Sequence, residues 1–391
     1  MRIYSKLFTG LLCWMASLSD LKAQLGPWIT KSIQHNGITR SALLHVPNNY
    51  QPGDTLPLLL CFHGLNQTPK RIAEVTGFDT IADRENFIVA YPLGKDTVWN
   101  TFSNPYFSGT DDVGFVSHLI DSIHADYPIN FRRVYATGMS NGGFMCYKLA
   151  CHLSHRIAAI APLAGALTDS MRYYCAPLRP VPILHIHGTS DFLVGYNSGV
   201  LNISVPATLQ YWVQHNQCPT PETTTSLPNI NTQDNSTVTL LEWKPCLDAT
   251  EVVHYKINSG GHTWPGSAVT FSGLGGNVNR DIIASEVIWE FLSRFSLSDI
   301  KLGETKYVKH IPEIYPLPAS RTLYINGKDI VYNKFAILDI RGRELLSGIS
   351  SQGAHQFTID ISDIPSGMYL LLLTDIHNRV HTALLPVTNN P

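Results

Sequence analysis

The stretch of sequence that decides the fold is VYATGMSNGGFMCYKLACH, residues 134–152. Val134 to Thr137 predicts a buried strand and Asn141 to His152 predicts a helix, joined through Gly138-Met139-Ser140-Asn141-Gly142. The glycines two residues before and two residues after Ser140 permit a tight turn that holds the serine hydroxyl clear of the backbone. This arrangement is typical of a nucleophile elbow, and Ser140 is the candidate nucleophile.

Short apolar runs alternate with stretches of helical period on both sides of this segment, from Ser41 to Phe295. The alternation predicts an α/β fold, with a mostly parallel sheet covered by helices. Two further helices are predicted, one from Asp111-Asp112 to about Ala125 and one from Arg280 to Phe295. The other predicted strands are Leu56 to Phe62, Phe87 to Ala90, Ile157 to Pro162, Ile183 to Ile186 and Val252 to Ile257.

A serine hydroxyl needs a base to remove its proton and a third group to orient that base. Asp191 follows one predicted strand and is the candidate acid, and His262 follows the next and is the candidate base. The order Ser, Asp, His matches the α/β-hydrolase fold, and all three residues follow strands, where open α/β sheets place their sites. Considered singly, Asp191 could cap a turn and His262 could be an incidental loop histidine.

Acyl transfer also needs N–H donors for the developing oxyanion. Asn141, directly after the serine, is one candidate donor, and Leu65 is the other because it lies in the loop after an early strand. The preceding His63-Gly64 could also be a plain turn that ends the strand.

Two tryptophans and a pair of aspartates need an interpretation beside the candidate triad. Trp99 and Trp264 could each form an apolar wall of a substrate-binding site, or could be core residues. Asp111 and Asp112 are interpreted as helix caps rather than catalysts.

Composition excludes several classes of protein. The chain has 391 residues, a length that favours two folded units, and 44% of them are hydrophobic, which excludes disorder as its general state. Lys and Arg number 28 against 30 Asp and Glu, so the formal net charge is −2. No basic block is present, and nucleic acid is therefore excluded as a partner.

Residues 1–23 predict a cleaved signal peptide, since a positively charged start precedes the apolar run Leu7 to Leu18. Cys13 would suit a lipoprotein anchor, but Leu12 before it is bulkier than such an anchor usually has. The run is too short for a permanent membrane span. We therefore expect export.

Export makes disulfides the expected use of cysteine. Of the seven cysteines, Cys13 lies in the predicted signal peptide, and the remaining six allow 15 pairings that the sequence alone does not resolve. Zinc would need a tight cluster that is not present, and the pair His185 and His187 on one strand face is interpreted as structural rather than metal-binding. We predict neither a metal nor an organic cofactor.

The character of the sequence changes at Asp299. Residues 299–313 predict a polar linker, and residues 314–391 predict a small all-β sandwich, with apolar residues at every second position and recurring turn signals such as Asn326-Gly327. A carbohydrate-binding module is an alternative interpretation, but the segment has few aromatic residues for a binding platform.

Several motifs in order resemble those of the polyhydroxybutyrate depolymerase and feruloyl esterase group of secreted α/β-hydrolases. They are His63-Gly64, Trp99-Asn100, Asp111-Asp112-Val113-Gly114-Phe115, Gly138-Met139-Ser140-Asn141-Gly142-Gly143, His185-Ile186-His187-Gly188-Thr189 and Gly260-Gly261-His262-Thr263-Trp264-Pro265-Gly266. The resemblance runs from about residue 30 to 297, within a predicted catalytic domain of residues 24–298. It implies Ser140 as nucleophile, His262 as base and Asp191 as acid, in agreement with the interpretation from the residues.

The same resemblance implies a cysteine pairing. It pairs Cys151 with Cys175 and Cys218 with Cys246. Cys61 and Cys146 then either pair with each other or remain buried thiols.

The C-terminal segment resembles a type IX secretion sorting domain. Tyr315-Pro316-Leu317-Pro318 is similar to its opening motif, and Pro365-Ser366-Gly367-Met368-Tyr369-Leu370 to its late strand. Leu317 replaces the usual Asn, and the end of the chain lacks the usual lysine. The resemblance implies export across the outer membrane with the type IX machinery as partner.

Together these observations predict a secreted, monomeric serine ester hydrolase that acts through an acyl-enzyme on Ser140. Polyesters of the polyhydroxybutyrate type and feruloyl or acetyl esters of plant polysaccharide are the predicted substrates. A non-catalytic binding protein on a hydrolase fold and a serine peptidase are the alternatives.

Overall fold

The computed structural model describes residues 28–101, 109–175, 177–197, 199, 202–269, 275–297, 312–327, 330–339, 344–375 and 380–388. These residues fall into two compact units, one within residues 1–298 and the other within residues 299–391. The predicted signal peptide, residues 1–23, and residues 299–311 of the predicted linker lie outside the described residues.

The first unit is built on one large sheet. Its strands in the described residues are β1 (Ile29–His35), β2 (Ile38–His45), β3 (Leu56–Phe62), β4 (Ile88–Pro92), β5 (Ile129–Met139), β6 (Ala159–Leu163), β7 (Ile183–Gly188), β8 (Thr223–Ser226), β9 (Thr237–Trp243) and β10 (Val252–Asn258). They lie in the order β1-β2-β4-β3-β5-β6-β7-β10-β9-β8. The stretch from β4 to β10 is parallel, and the strands outside it pair antiparallel.

Helices cover both faces of this sheet. They are α1 (Pro69–Thr76), α2 (Phe78–Glu85), α3 (Asp112–Asp126), α4 (Asn141–His152), α5 (Asp169–Tyr174), α6 (Val205–His215) and α7 (Ala284–Leu292), with a short 3₁₀ helix at Leu247–Ala249. One apolar core packs α3, α4 and α6 on one face, and a second packs α1, α2 and α7 on the other. Every residue of β3 is buried, as expected for a strand covered on both faces. The predicted α/β-hydrolase fold is confirmed.

The last predicted helix is shorter than its apolar pattern suggested. It covers Ala284–Leu292 instead of Arg280 to Phe295. The Asp281 carboxylate accepts the backbone N–H of Ile230 at 2.7 Å, which holds this segment in a loop. Ile283 is extended, with φ −104° and ψ 102°, so the helix begins only after it.

The sheet opens with a hairpin, β1 and β2, that the sequence analysis did not predict. Its turn residues Asn36 and Gly37 both have positive φ, at 50° and 75°. An Asn-Gly pair between two strands is a strong hairpin signal, so this element could have been predicted.

The described strands of the second unit pair antiparallel with one another. Its strands are β11 (Glu313–Tyr315), β12 (Thr322–Asn326), β13 (Tyr332–Leu338), β14 (Glu344–Ala354), β15 (Gln356–Asp360), β16 (Gly367–Asp375) and β17 (Val380–Val387). They form one sheet in the order β11-β12-β15 and another in the order β14-β13-β16-β17. Leu323 and Ile359 of the first sheet share one core with Leu371 and Leu373 of the second, as in a sandwich.

The cysteines form the two disulfides that the family resemblance implied, Cys151–Cys175 and Cys218–Cys246. Cys61 and Cys146 are free and buried, which answers the question that the sequence left open. Burial raises the pKa of both thiols, so neither is an activated nucleophile. Among the described residues, no helix combines the length and the apolar character needed to span a bilayer.

Candidate active site

Ser140 lies in the sharp turn between β5 and α4. Its backbone has φ 58° and ψ −121°, a conformation that costs a non-glycine residue about 1–3 kcal/mol. Two backbone hydrogen bonds hold it: Ser140 N–H donates to Leu163 O at 2.9 Å, and Phe144 N–H donates to Ser140 O at 3.0 Å. Such strain at a surface turn is typical of a nucleophile elbow.

The glycines around this turn are required by close packing against the end of β3. A Cβ atom at Gly138 would lie 2.7 Å from Phe62 O, and one at Gly142 would overlap the same carbonyl oxygen. Side chains at either position would therefore push α4 away from β3. The close approach also brings the loop after Phe62 next to the start of α4.

Asp191 and His262 are joined by a hydrogen bond. His262 Nδ1 donates to Asp191 Oδ2 at 2.7 Å, and the two residues are only 7% and 5% exposed. Asp191 Oδ1 accepts the backbone N–H groups of Leu193 at 2.9 Å and Val194 at 2.8 Å. With its hydrogen on Nδ1, the His262 ring leaves Nε2 as the nitrogen that can accept a proton.

The Asp191 carboxylate is stabilised as an anion. Burial by itself raises its pKa, but hydrogen bonds and charge interactions with His187 and His262 outweigh burial and hold the pKa well below its usual range. Asp191 is therefore ionised at neutral pH and can stabilise a positive charge on His262.

The loop that carries Asp191 and the loop that carries His262 are joined by hydrogen bonds. Ser190 N–H donates to Gly260 O at 2.9 Å, and Ser259 N–H donates to Thr189 Oγ1 at 2.9 Å. A Cβ atom at Gly188 would overlap Gly260 O, so this contact also requires glycine. Because β5, β7 and β10 run parallel, Ser140, Asp191 and His262 all lie at the carboxyl edge of the sheet.

The two candidate oxyanion donors lie next to this edge. In the part of the chain that the structure describes, the backbone N–H groups of Leu65 and Asn141 have no protein acceptor. Asn141 is also fixed by its side chain, since its Oδ1 accepts the backbone N–H of Trp99 at 2.7 Å and its Nδ2 donates to the backbone carbonyl of Trp99 at 3.2 Å. The loop after Leu65 is held by Asn66 N–H, which donates to Thr97 O at 3.0 Å.

Trp99 and Trp264 are core residues, 1% and 2% exposed. The Trp99 indole donates to His63 O at 3.0 Å, and the Trp264 indole donates to Ser285 Oγ at 2.9 Å. The structure therefore does not support either indole as an apolar wall of a substrate-binding site. Trp99 instead fixes groups next to the site, because its indole bonds the His63 carbonyl and its backbone bonds the Asn141 side chain.

The paired carboxylates before α3 have different roles. Asp111 caps the helix as predicted, with Oδ1 accepting Gly114 N–H at 2.8 Å. Asp112 is not used as a cap. It is buried, it pairs with Arg40 at 2.7 Å, and it accepts Asn100 N–H at 2.7 Å. No local sequence signal indicates this pair, because Arg40 lies on β2.

His185 and His187 share one face of β7, as predicted, and their side-chain nitrogens are 3.2 Å apart. His187 also reaches Asp191, with Nε2 3.3 Å from Oδ2, a contact that the sequence analysis missed. Within the described residues, no group of three or more His, Cys, Asp or Glu side chains is arranged to hold a metal ion.

Comparison with known proteins agrees with this architecture. The family described as esterase PHB depolymerase matches residues 41–172, and the secretion system C-terminal sorting domain matches residues 313–385. A bifunctional acetylxylan esterase/xylanase from Neocallimastix patriciarum is 32% identical over 265 residues, which cover 68% of this chain and 34% of the relative. Feruloyl esterase B from Piromyces equi is 29% identical over 242 residues, which cover 57% of this chain and 42% of the relative.

The chain thus spans less than half the length of each of these two relatives. A sorting domain of the matched kind indicates secretion through the type IX system, and the two disulfides fit an extracellular protein, so the predicted export is confirmed. Residues 41–172 are thus similar to the esterase PHB depolymerase family, and residues 313–385 to the secretion system C-terminal sorting domain.

Proposed function

We propose that the protein is a secreted serine carboxylic-ester hydrolase in which Ser140 is the nucleophile, His262 the general base and Asp191 the orienting acid. The hydrogen bond of 2.7 Å between His262 Nδ1 and Asp191 Oδ2 supports this proposal most directly. It sets the ring tautomer that a base needs, at the same edge of the sheet as the strained turn of Ser140.

The reaction follows from these roles. Ser140 Oγ attacks the ester carbonyl carbon while His262 Nε2 takes the hydroxyl proton, and the Leu65 and Asn141 N–H groups stabilise the negative oxygen. His262 then gives the proton to the departing alcohol, which leaves an acyl group on Ser140. A water molecule that loses a proton to His262 attacks the carbonyl carbon of this acyl-enzyme; the bond from that carbon to Ser140 Oγ then breaks, His262 returns the proton to Ser140 Oγ, and the acid is released.

The surface around the site favours substrates with an apolar acyl part. Leu65, Val98, Phe192 and Leu193 are 55%, 37%, 62% and 52% exposed, and they lie in or beside the loops that carry the candidate oxyanion donor and the acid. Exposed apolar side chains at a site are typical of surfaces that bind apolar groups.

Feruloyl or acetyl esters of plant polysaccharide are the substrates we propose first, because the relatives are named acetylxylan esterase and feruloyl esterase. A polyester of the polyhydroxybutyrate type is the second candidate, favoured by the family description and by the exposed apolar side chains. We further propose that the enzyme acts as a monomer and meets the type IX secretion machinery through its C-terminal unit.

Two experiments test the proposal. In hydrolysis of a chromogenic short-chain ester, we expect Ser140→Ala to lower kcat/KM by at least about 1000-fold, while Ser293→Ala, at the end of α7, leaves it unchanged. A Ser140→Ala variant with half the wild-type rate would refute the mechanism, and an inactive wild type would favour a binding protein. Rates on methyl ferulate, acetylated xylan and polyhydroxybutyrate then rank the substrate classes.

A further inference from the structure

A row of buried hydrogen-bonding side chains leads from α4 to the candidate acid. Tyr147 OH lies 2.7 Å from His185 Nδ1, and His185 Nε2 lies 3.2 Å from His187 Nδ1. His187 Nε2 lies 2.8 Å from Val194 O and 3.3 Å from Asp191 Oδ2. Tyr147, His185 and His187 are at most 1% exposed, so water does not compete for these bonds.

The chemistry of these groups sets the direction of every bond in the row. Val194 O and the ionised Asp191 carboxylate can only accept, so the His187 ring carries its hydrogen on Nε2 and accepts at Nδ1. Burial, with the nearby His254 and His187, lowers the pKa of His185, so this ring is neutral, and its single hydrogen lies on Nε2 and is donated to His187. His185 Nδ1 is then an acceptor, and the Tyr147 phenol, whose pKa burial raises, keeps its hydrogen and donates to it.

His187 therefore donates toward Asp191 and its loop. Val194 O and the ionised carboxylate are acceptors only, and His187 Nε2–H lies between them. Its effect reaches both carboxylate oxygens: it approaches Oδ2 directly, and through Val194 O it holds the residue whose own N–H binds Oδ1.

We propose that His187 is a positioning residue of the triad, which holds the Asp191 carboxylate in the orientation that receives His262 Nδ1–H and is itself fixed by Tyr147 and His185. This inference rests on the proposed triad. Without the His187 donor, Oδ2 keeps His262 as its only side-chain partner among the described residues, and the carboxylate gains freedom to turn away from the base.

The neighbouring strand provides a matched control. On β10, His254 Nδ1 donates to His185 O at 3.0 Å, and Tyr196 OH lies 3.1 Å from His254 Nε2. Tyr147 and Tyr196 are thus two largely buried phenols that each bond a buried histidine. Only the bond of Tyr147 belongs to the row of side-chain bonds that ends at Asp191.

The test compares variants of the full chain in hydrolysis of a chromogenic short-chain ester. Because a hydrogen bond to a charged group is lost, we expect His187→Leu to lower kcat by roughly 10- to 100-fold with KM unchanged. His187→Gln, whose amide can donate in place of Nε2, should recover part of this loss. Tyr147→Phe should lower kcat by about threefold, and Tyr196→Phe should leave it at the wild-type value.

A spectroscopic measurement separates positioning from general damage. The far-downfield proton resonance of His262 Nδ1–H reports the hydrogen bond to Asp191, and it should shift in His187→Leu and Tyr147→Phe but not in Tyr196→Phe. An unshifted resonance with wild-type kcat in His187→Leu would overturn the proposal, as would equal losses in the two tyrosine variants. If Ser140→Ala is active in the same assay, the triad itself is wrong, whereas an inactive Ser140→Ala beside a fully active His187→Leu rejects only the role of His187.

Discussion

Replacing Asp191 with Asn tests the arrangement of acid and base most sharply, because the structure dictates how the amide must sit. The Oδ1 position accepts two backbone N–H groups, from Leu193 at 2.9 Å and from Val194 at 2.8 Å. Only the carbonyl oxygen of Asn can take that position, so its NH₂ group must face His262 Nδ1.

An NH₂ group in that place donates where the carboxylate accepted. It forces the hydrogen of His262 onto Nε2, the nitrogen that must accept the proton of Ser140. We therefore expect kcat/KM of Asp191→Asn to fall by roughly 10⁴-fold at neutral pH, about 5.5 kcal/mol of transition-state stabilisation. The ester-hydrolysis rate measures this loss, and nuclear magnetic resonance of the His262 ring reports the tautomer.

Asp111→Asn is the matched control for this change. Asp111 is a partly exposed cap of α3, and Asn caps helices about as well as Asp, so both rate and stability should stay close to those of the wild type. If Asp191→Asn stays within tenfold of the wild-type rate while its His262 ring carries the hydrogen on Nε2, the tautomer of His262 does not control the rate.

Two further predictions concern stability. Asp112→Ala leaves the buried Arg40 without its carboxylate partner, so we expect it to lower the free energy of unfolding by about 3–5 kcal/mol in urea denaturation, against no change for Asp111→Asn; a loss below about 1 kcal/mol would contradict a buried ion pair. Burial lowers the pKa of His254 to about 3, so as the pH falls from about 6.5 towards 3 the unfolded chain binds a proton at this ring that the folded chain does not; the free energy of unfolding should be highest above that window and decline within it, by up to about 5 kcal/mol for this ring. His254→Phe should flatten the decline in denaturation midpoints measured between pH 7 and pH 4, and an unchanged slope would show that other groups cause it.

The features of this fold that the sequence predicted are those with local causes. Helix α4 begins at Asn141 and ends at His152, as predicted, because the glycine-rich turn before it and the apolar period within it both lie in the same short stretch. Asp191 and His262 could be paired from sequence because each follows a parallel strand, and parallel strands bring their carboxyl ends to one edge.

The features that the sequence did not predict depend on contacts between distant elements. The pairing of Asp112 with Arg40 joins α3 to β2 across 72 positions, and a pair of acidic residues before a helix looks the same whether or not such a partner exists. Trp99 likewise follows a strand, as a substrate-contacting residue would. Only the packing of its indole under the His63 carbonyl places it in the core.

The Asp191 carboxylate is held partly by residues close to it in the sequence and partly by a residue far from it. Burying a carboxylate is costly unless donors replace the lost water, and three of its donors come from one short segment, through His187 Nε2 and the N–H groups of Leu193 and Val194. Among the described residues that donate to this carboxylate, only His262 comes from a distant part of the chain. The end of β7 and the turn after it therefore supply most of the donors that stabilise the Asp191 carboxylate, and the loop that carries His262 supplies the remaining one. A substitution on β7, such as His187→Leu, is therefore expected to lower the rate of ester hydrolysis although the replaced side chain does not touch the substrate.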